Sequence, residues 1–401
     1  MAGAAIGVSH LVQSTRAGAS YGYQLLVIVL LVNAFKYPFF EYGHRYAVAT
    51  GENLLRGYQR LGRGFLYAFL AVNFVTSLIT IAGVTLVTAG LAQNLLGDGL
   101  GATGWSALVM GICVGILVIG HYKWLDHSMK VIMAVLFIAT VSAFAVALQH
   151  GPVAPGHVGP SPWDTAALWF LIALMGWMPA PVELSVFQSL WIAANEQSLG
   201  RRTTMREARF DFNFGYSLTV VLAVIFVMLG ALVMYGSGVQ FANTGAGFAG
   251  QLVALYRNTL GGWAGPIIGL AALTTMFSTT LTVIDAYPRS LAVGTKLAVE
   301  TRLGLRTVHS IFMAVGCVAG LVIIAVFIDR LKGLVDLATT LAFLTAPLYG
   351  YLNYRLITSD HTPQENRPGR FLRALSWLGI LYFVVFGLLF IAHRFFPGLF
   401  P

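Results

Sequence analysis

The chain has 401 residues, of which 57% are hydrophobic and only 10% are charged. A water-soluble domain carries about 25% charged residues, so this composition excludes a mainly soluble globular protein. The formal net charge of +9 would also suit a nucleic-acid-binding protein, but there is neither a basic tail nor a basic strand with interleaved aromatic residues, so we expect no nucleic-acid partner.

The hydropathy pattern predicts an all-α polytopic membrane protein with about eleven spans, because a bilayer core requires roughly 17–25 apolar residues per helix. In chain order the predicted spans are Ala2–Ala19, Gln24–Tyr42, Gly64–Leu96, Gly104–Gly120, His127–Leu148, Ala166–Ala194, Phe212–Tyr235, Trp263–Gly294, Val308–Ile328, Leu334–Leu356 and Ala374–Phe395. The first span is short, so we expect either that the start of its helix is missing from this chain or that it is a half-span.

The distribution of Lys and Arg predicts the orientation of these spans. With the N-terminus in the cytoplasm, eighteen of the 24 Lys and Arg residues fall in inside loops, five fall outside, and Lys36 lies within a span. The sequence therefore predicts an integral protein of the plasma (inner) membrane, with a cytoplasmic N-terminus and a C-terminus outside.

Two spans carry interruptions at matched positions, five spans apart. The first contains the polar, glycine-interrupted run Gly7–Ser14, and the sixth contains Pro179 and Pro181 within Met175–Glu183. Each proline removes a backbone donor and clashes with the preceding turn, which predicts a break in the sixth span. Paired breaks of this kind form the substrate site of transporters built from inverted repeats. The alternative is that the two prolines only kink a packing helix.

Four stretches resemble the NRAMP family of divalent-metal transporters, a branch of the APC superfamily. They are the helix-one-to-two passage Gly18–Leu26, the polar loop Thr50–Leu54, the pair Met178–Pro179 of the sixth span, and the segment Leu344–Leu348 of the tenth. The resemblance covers essentially the whole chain and identifies it as a divergent member. It implies the LeuT-type fold, with 5+5 inverted repeats at 1–149 and 163–357 and an eleventh transmembrane helix at 370–395.

The resemblance also places a metal site at the first break. The family's Asp-Pro-Gly-Asn tetrapeptide aligns with Gly7–His10, so that Gly7 stands at the position of its metal-binding Asp and His10 at that of its Asn. The third span, Gly64–Leu96, contains neither Asp nor Glu, whereas the family carries acidic proton-path residues there.

At the second break, the resemblance assigns the family's Met ligand to Met178. The family's His, two residues further on, is replaced by Ala180, and its helix-ten Gln falls near Thr339 or Thr340.

We expect His10 and Met178 to be side-chain metal ligands, because an imidazole and a thioether together favour softer ions over Mg²⁺ or Ca²⁺. Backbone carbonyls at Gly7 and Met175 would add oxygen ligands. Alternatively, His10 is a proton acceptor or is hydrogen-bonded by backbone carbonyls of the break. Gln13 lies three residues beyond His10 and would share its cavity if both face the same side of a helix, with an interhelical hydrogen bond as its alternative role.

Glu183 is the only acid of the sixth span. A carboxylate there would replace the charge missing from the first span, by ligation or by attraction, or would instead pair with Arg16 or Lys36. Asp285 and Arg289 are four residues apart and are expected to pair with each other. The predicted substrate-binding residues are Gly7, Ser9, His10, Gln13, Met175, Met178, Glu183 and Thr339.

The sequence predicts a secondary-active transporter that moves a divalent metal cation by alternating access, with H⁺ or Na⁺ as a possible coupling ion. Two alternatives keep the fold, namely a transporter of a small organic or anionic solute and a transport-inactive sensor. No nucleophile elbow, Walker loop or HExxH motif is present, so we expect neither enzymatic activity nor a cofactor.

Overall fold

The computed structural model describes residues 6–119 and 122–396, with side chains described except at 122–130, 132, 133, 165, 166 and 197–199. Within these ranges the secondary structure is helical and contains no β-strand. The longer helices are α1 (π-helical Ser9–Ser14 continued by α-helical Thr15–Tyr21), α2 (Leu26–Thr50), α3 (Leu54–Leu61), α4 (Arg63–Leu96), α5 (Gly101–Ile119), α6 (Tyr122–His150), α7 (Thr165–Trp177), α8 (Leu184–Leu199), α9 (Met205–Val233), α10 (Gly245–Leu260), α11 (Ala264–Ala298), α12 (Leu305–Val326), α13 (Leu331–Ile357) and α14 (Arg370–Phe395).

Eight of the described helices are long and apolar enough to cross a bilayer, namely α2, α4, α5, α9, α11, α12, α13 and α14. The other three predicted spans correspond to α1, to α6 and to the interrupted pair α7 and α8. The all-α polytopic architecture is thereby confirmed. The start of the first predicted span, residues 2–5, lies outside the described residues, and the repeat boundaries at 149, 163, 357 and 370 stay predictions.

Two helices that hydropathy did not predict, α3 and α10, are too short to cross a bilayer. Helix α3 is amphipathic: Leu54, Leu55 and Tyr58 are buried, whereas Arg56 is exposed. Its N-cap, Asn53, accepts a hydrogen bond from the backbone N–H of Arg56 at 3.0 Å. A hydropathy window as long as a membrane span averages the apolar residues of such a short helix with its polar flanks, so the helix gives no hydropathy peak.

Helix α1 lies against α9 through a reciprocal contact of two glycines. A Cβ on Gly18 would lie 1.9 Å from the carbonyl oxygen of Val227, and a Cβ on Gly230 would lie 2.3 Å from that of Thr15. Small residues let helix backbones approach this closely inside a membrane. The contact fixes the first span, and with it the residues that precede Thr15, relative to α9.

Candidate substrate site at two helix breaks

The sixth span is broken as its prolines predict. Helix α7 ends at Trp177 and α8 begins at Leu184, and the backbone between them includes a cis peptide bond from Met178 to Pro179. The carbonyls at the end of α7 and the amides at the start of α8 therefore lose their intrahelical partners inside the bundle.

The first span departs from the prediction of an unwound stretch over Gly7–His10. In the described part of this span, only Ile6 and Gly7 are non-helical, and Ser9–Ser14 form a π-helix. The carbonyl of Gly7 accepts hydrogen bonds from the backbone N–H groups of His10 (3.1 Å) and Leu11 (3.0 Å). The interruption is therefore a change of helical pitch rather than a fully extended segment, as is common for π-bulges at functional sites.

The two breaks meet. The hydroxyl of Ser9 donates to the backbone carbonyl of Pro179 at 3.1 Å. Beside this contact lies a cavity of about 50 Å³ between the breaks, α4 and α11. Its lining residues are Gly7, Val8, Ser9, Thr80, Val84, Trp177, Ala180, Pro181, Leu184, Phe187, Thr279, Thr282, Val283, Ala286 and Tyr287. Of the predicted site residues, Gly7 and Ser9 line this cavity.

His10 faces α9 rather than the cavity. Its Nε2 lies 2.9 Å from the backbone carbonyl of Thr219, and its Nδ1 lies 2.8 Å from the hydroxyl of Ser9. Because a carbonyl oxygen only accepts, Nε2 carries a proton and donates to Thr219. The single proton of the Ser9 hydroxyl has two neighbouring acceptor positions, the carbonyl of Pro179 and Nδ1 of His10. A backbone carbonyl holds the ring, but this carbonyl belongs to α9 and not to the break, where the alternative had placed it.

Gln13 does not share the surroundings of His10 and instead makes the interhelical hydrogen bond that was its alternative role. Its Nε2 donates to Asp336 Oδ1 at 3.2 Å and lies 3.5 Å from Thr339 Oγ1, both on α13. Its Oε1 has no hydrogen-bond partner in the described part of the chain. The reason is the π-helix: bonds from i to i+5 widen the turn, so side chains three residues apart no longer share a face.

Gln13 belongs to a polar cluster at the end of α1. There Arg16 Nη1 donates to Asp336 Oδ1 at 2.7 Å, and the guanidinium lies 4.5 Å from the ring centroid of Phe170 on α7. Thr339 turns its own hydroxyl to the carbonyl of Val335 at 2.8 Å. The cluster ties α1, α7 and α13 together and lies apart from the residues that line the cavity.

We expect the pair of Arg16 and Asp336 to be strongly coupled. Either Arg16→Met or Asp336→Asn alone leaves a partly buried charge without its partner. In a double-mutant cycle, the loss of stability in the double variant should therefore be smaller than the sum of the two single losses, by about 1–3 kcal/mol. The exposed pair of Arg367 and Asp360, at 3.0 Å, provides the control cycle and should be additive. Additivity at Arg16 and Asp336 in melting curves would contradict this expectation.

The two methionines of the break point away from the cavity. The Met175 sulfur accepts a hydrogen bond from the hydroxyl of Tyr382 on α14 at 2.8 Å. Met178 is fully buried in the apolar core and does not line the cavity.

The sequence offered Lys36 only as a possible partner of Glu183, and its place at the sixth-span break was not predicted. Its side chain is fully buried, and its Nζ donates to the backbone carbonyls of Met175 (2.8 Å), Gly176 (2.6 Å) and Ala180 (3.1 Å). The carbonyl of Met175, which was expected to bind a metal, therefore accepts a hydrogen bond from the Lys36 side chain. The signal was available, because an ionisable residue within a span marks a functional position.

Glu183 is fully buried beside the same break. Its Oε1 accepts from the hydroxyl of Tyr287 at 3.0 Å, and its Oε2 has no hydrogen-bond partner among the residues described. Of the two cations proposed as its partner, Arg16 pairs with Asp336, and Lys36 attracts Glu183 electrostatically without a direct ion pair. Tyr287 also lines the cavity, so it connects the carboxylate to the cavity wall.

The acid of the eighth span, Asp285, pairs with Arg289 as predicted. Asp285 accepts from Arg289 at 2.7 and 3.0 Å, and His309 approaches it at 3.3 Å. In the described part of the chain no three His, Cys, Asp or Glu residues lie together as a ready metal site. The polar groups at the cavity wall are instead hydroxyls, among them those of Ser9, Thr279 and Tyr287.

The sequence model of the family described as natural resistance-associated macrophage protein-like (Nramp) matches residues 1–393. The chain is 38% identical over 398 residues to an uncharacterized protein of Pasteurella multocida (strain Pm70), covering 98% of this chain and 90% of that protein.

Solved structures show the same fold at low sequence identity. A mutant of the Eremococcus coleocola manganese transporter superposes with a TM-score of 0.72 at 13% identity, covering 98% of this chain and 86% of the other. MhsT in complex with L-phenylalanine gives 0.69 at 13% identity, covering 96% of each chain, and Mhp1 in an inward-facing conformation gives 0.57 at 16%, covering 100% of this chain and 90% of the other.

These likenesses confirm the predicted LeuT-type fold. The chain is an integral membrane protein that belongs to the Nramp family.

Proposed function

We propose that this protein moves a divalent metal ion across the membrane by alternating access. One observation carries the proposal: in a chain of the Nramp family, the breaks of the first and sixth spans meet at Ser9 and Pro179 beside a small cavity. Backbone groups released at such breaks are where transporters of this architecture bind their substrates and ions. A manganese transporter of the same fold, at 13% identity, is consistent with a metal substrate.

The size of the cavity is compatible with a hydrated ion. Its volume is about 50 Å³, and roughly 10–15 Å³ is enough to hold one water molecule. The space therefore accommodates a cation with part of its hydration shell.

The wall of the cavity is largely apolar, and Ser9, Thr80, Thr279 and Thr282 are the hydroxyl-bearing aliphatic residues that line it. The carbonyl of Gly7 already accepts hydrogen bonds from His10 and Leu11, so oxygen ligands for a cation would come from these hydroxyls and from water. Hydroxyl, carbonyl and water oxygens are the ligands of Mg²⁺, Mn²⁺ and Ca²⁺. The ligand roles of His10 and Met178 stay proposals, and they require His10 to exchange its hydrogen bond to Thr219 for the metal.

The orientation is part of the proposal. With a cytoplasmic N-terminus and an external C-terminus, the loops with most of the Lys and Arg residues face the cytoplasm. The cluster of Arg16 and Asp336 then lies toward the outside, and we propose that it closes the outer end of the substrate pathway.

The test is uptake of Mn²⁺, Co²⁺, Zn²⁺ and Mg²⁺ into proteoliposomes, paired with melting curves in the presence of each ion. Thr279→Val removes a hydroxyl from a residue that lines the cavity, and Thr274→Val provides a control away from it. Both hydroxyls donate to the carbonyl four residues earlier, and that of Thr279 also lies 3.4 Å from the carbonyl of Ile6. Loss of a hydrogen bond or ligand to a charged group costs about 1.5–3 kcal/mol. We therefore expect Thr279→Val to lower the apparent affinity about tenfold or more and Thr274→Val to leave it unchanged.

Three outcomes would overturn the proposal or its site. Absence of both uptake and ion-dependent stabilisation for all four metals would exclude a metal substrate and favour a transport-inactive sensor. Stabilisation by an organic anion or amino acid instead would favour the solute transporter. Equal effects of the two threonine variants would place the ion outside this cavity.

A further inference from the structure

The ammonium group of Lys36 occupies a cage of backbone oxygens. Its three N–H donors match three carbonyls, those of Met175, Gly176 and Ala180, at 2.8, 2.6 and 3.1 Å. A lysine ammonium has three donors and no acceptor, so these bonds use its full capacity. The lysine stems from α2, so the cation at the sixth-span break is covalently held by a different helix.

Three features beside the cage attract a positive charge and oppose the cost of burying it. Met175 and Gly176 are in the last turn of α7, where the helix dipole places partial negative charge. The Nζ of Lys36 lies 5.8 Å from the ring centroid of Phe383. Glu183 adds electrostatic attraction, and its Oε2 is buried with no hydrogen-bond partner in the described residues. A neutral amine has only two N–H donors and would leave one of the three buried carbonyls without a donor.

In transporters of this architecture, carbonyls of unwound segments and half-helix C-terminal ends coordinate the dissociable Na⁺ or H⁺ that accompanies the substrate. We propose that Lys36 is a tethered replacement for such an ion: its ammonium permanently fills the cation position at the sixth-span break and makes that position independent of a dissociable cation. The substrate cation is thereby confined to the neighbouring cavity beside Ser9. This last consequence rests on the proposed metal transport, whereas the filled cation position does not.

The proposal determines what the break can bind. The ammonium repels a second cation at the carbonyl of Met175, so the ligands of the substrate are expected from the cavity side of the break. A substrate cation in the cavity also meets a fixed positive charge nearby, and this selects for cations that keep water or carboxylate between themselves and Lys36.

The test is chemical rescue of Lys36→Ala. This substitution removes three methylene groups and the ammonium, a space that matches n-propylammonium. We expect the variant to melt at a lower temperature than the wild-type protein, and n-propylammonium to restore most of the lost melting temperature in a saturable way. Tetramethylammonium, which has no N–H donor, and n-propanol, which has no charge, should not restore it. Melting can be followed in detergent by size-exclusion chromatography of a fluorescent fusion.

Two variants serve as controls. Lys36→Met removes the charge but keeps the bulk of the side chain, so it should be destabilised and should not respond to n-propylammonium. Lys296→Met replaces an exposed lysine that donates to Thr301 and Leu303 at the end of α11, and it should show no response either. Restoration of Lys36→Ala by Na⁺ or K⁺ would also support a cation cage, because these ions bind the same carbonyl oxygens.

Uptake measurements separate a tethered ion from a merely structural lysine. The wild-type protein should transport equally well when Na⁺ is replaced by N-methylglucammonium, and Lys36→Ala should gain a requirement for the small cation that stabilises it. The proposal is overturned if Lys36→Ala is as stable as the wild type, or if no small cation restores its melting temperature or its folded peak. Absence of metal uptake by the wild type together with rescue in melting curves would overturn the proposed transport alone.

Discussion

Replacing Gly176 by alanine is expected to remove uptake and to lower the free energy of unfolding by more than about 3 kcal/mol, above the usual cost of overpacking. A Cβ at this position would lie 1.7 Å from the carbonyl oxygen of Thr339 and 2.6 Å from its carbonyl carbon. Both atoms are backbone of α13, so α7 has to move away from that helix. The carbonyl of Gly176 is also held by Lys36, so the movement reaches the cation cage.

The matched control is Gly115→Ala in α5. A Cβ there meets nothing within 4 Å, and alanine is favoured over glycine inside a helix by about 1 kcal/mol. This variant should therefore keep full uptake and be as stable as the wild type or slightly more stable. The measurement compares the melting temperatures and the uptake rates of the two variants. Equal values for Gly176→Ala and Gly115→Ala would show that α7 and α13 are not in the close contact described.

Replacing Glu183 by glutamine is expected to lower metal uptake more than tenfold while the protein stays folded. Glutamine keeps an oxygen for the hydrogen bond from Tyr287 but removes the negative charge beside the break. For a cation bound within about 10 Å of this carboxylate, the attraction at an effective dielectric constant of about 20 is on the order of 1–2 kcal/mol per unit of cation charge, so the loss for a dication exceeds a factor of ten.

Stability separates this electrostatic role from a structural one. The Oε2 atom of Glu183 is buried without a hydrogen-bond partner among the described residues, so Glu183→Gln removes the cost of burying a charge. This gain offsets the lost attraction to Lys36, and we expect the free energy of unfolding to change little. Glu300→Gln, in an exposed loop, is the matched control and should transport normally. Uptake by Glu183→Gln at the wild-type rate would exclude a role for this carboxylate in cation binding.

The sequence predicted the spans and the second break well. Apolar length alone located the long helices, because a bilayer leaves a chain few other ways to satisfy its backbone groups. Pro179 and Pro181 predicted the interruption between α7 and α8, because the effect of proline on a helix is local. The resemblance to the NRAMP family gave the fold that the comparisons confirm.

Predictions that depended on which way a side chain points were less successful. His10 and Gln13 were placed on one face by the spacing of an α-helix, but the π-helix sends them toward α9 and α13. Met175 was expected to offer its carbonyl to a metal, and that oxygen accepts a hydrogen bond from a lysine that is 139 residues away in the sequence.

The sequence by itself determined the number of spans, the break in the sixth and the scarcity of acids near the site, since composition and proline act over a few residues. Only the tertiary structure decided that Lys36 fills the carbonyl cage, that Ser9 meets Pro179, and that hydroxyls of α11 face the cavity. Each of these contacts joins helices far apart in the chain, and their geometry follows from how closely the helices pack, which glycines such as Gly18 and Gly176 set through backbone contact.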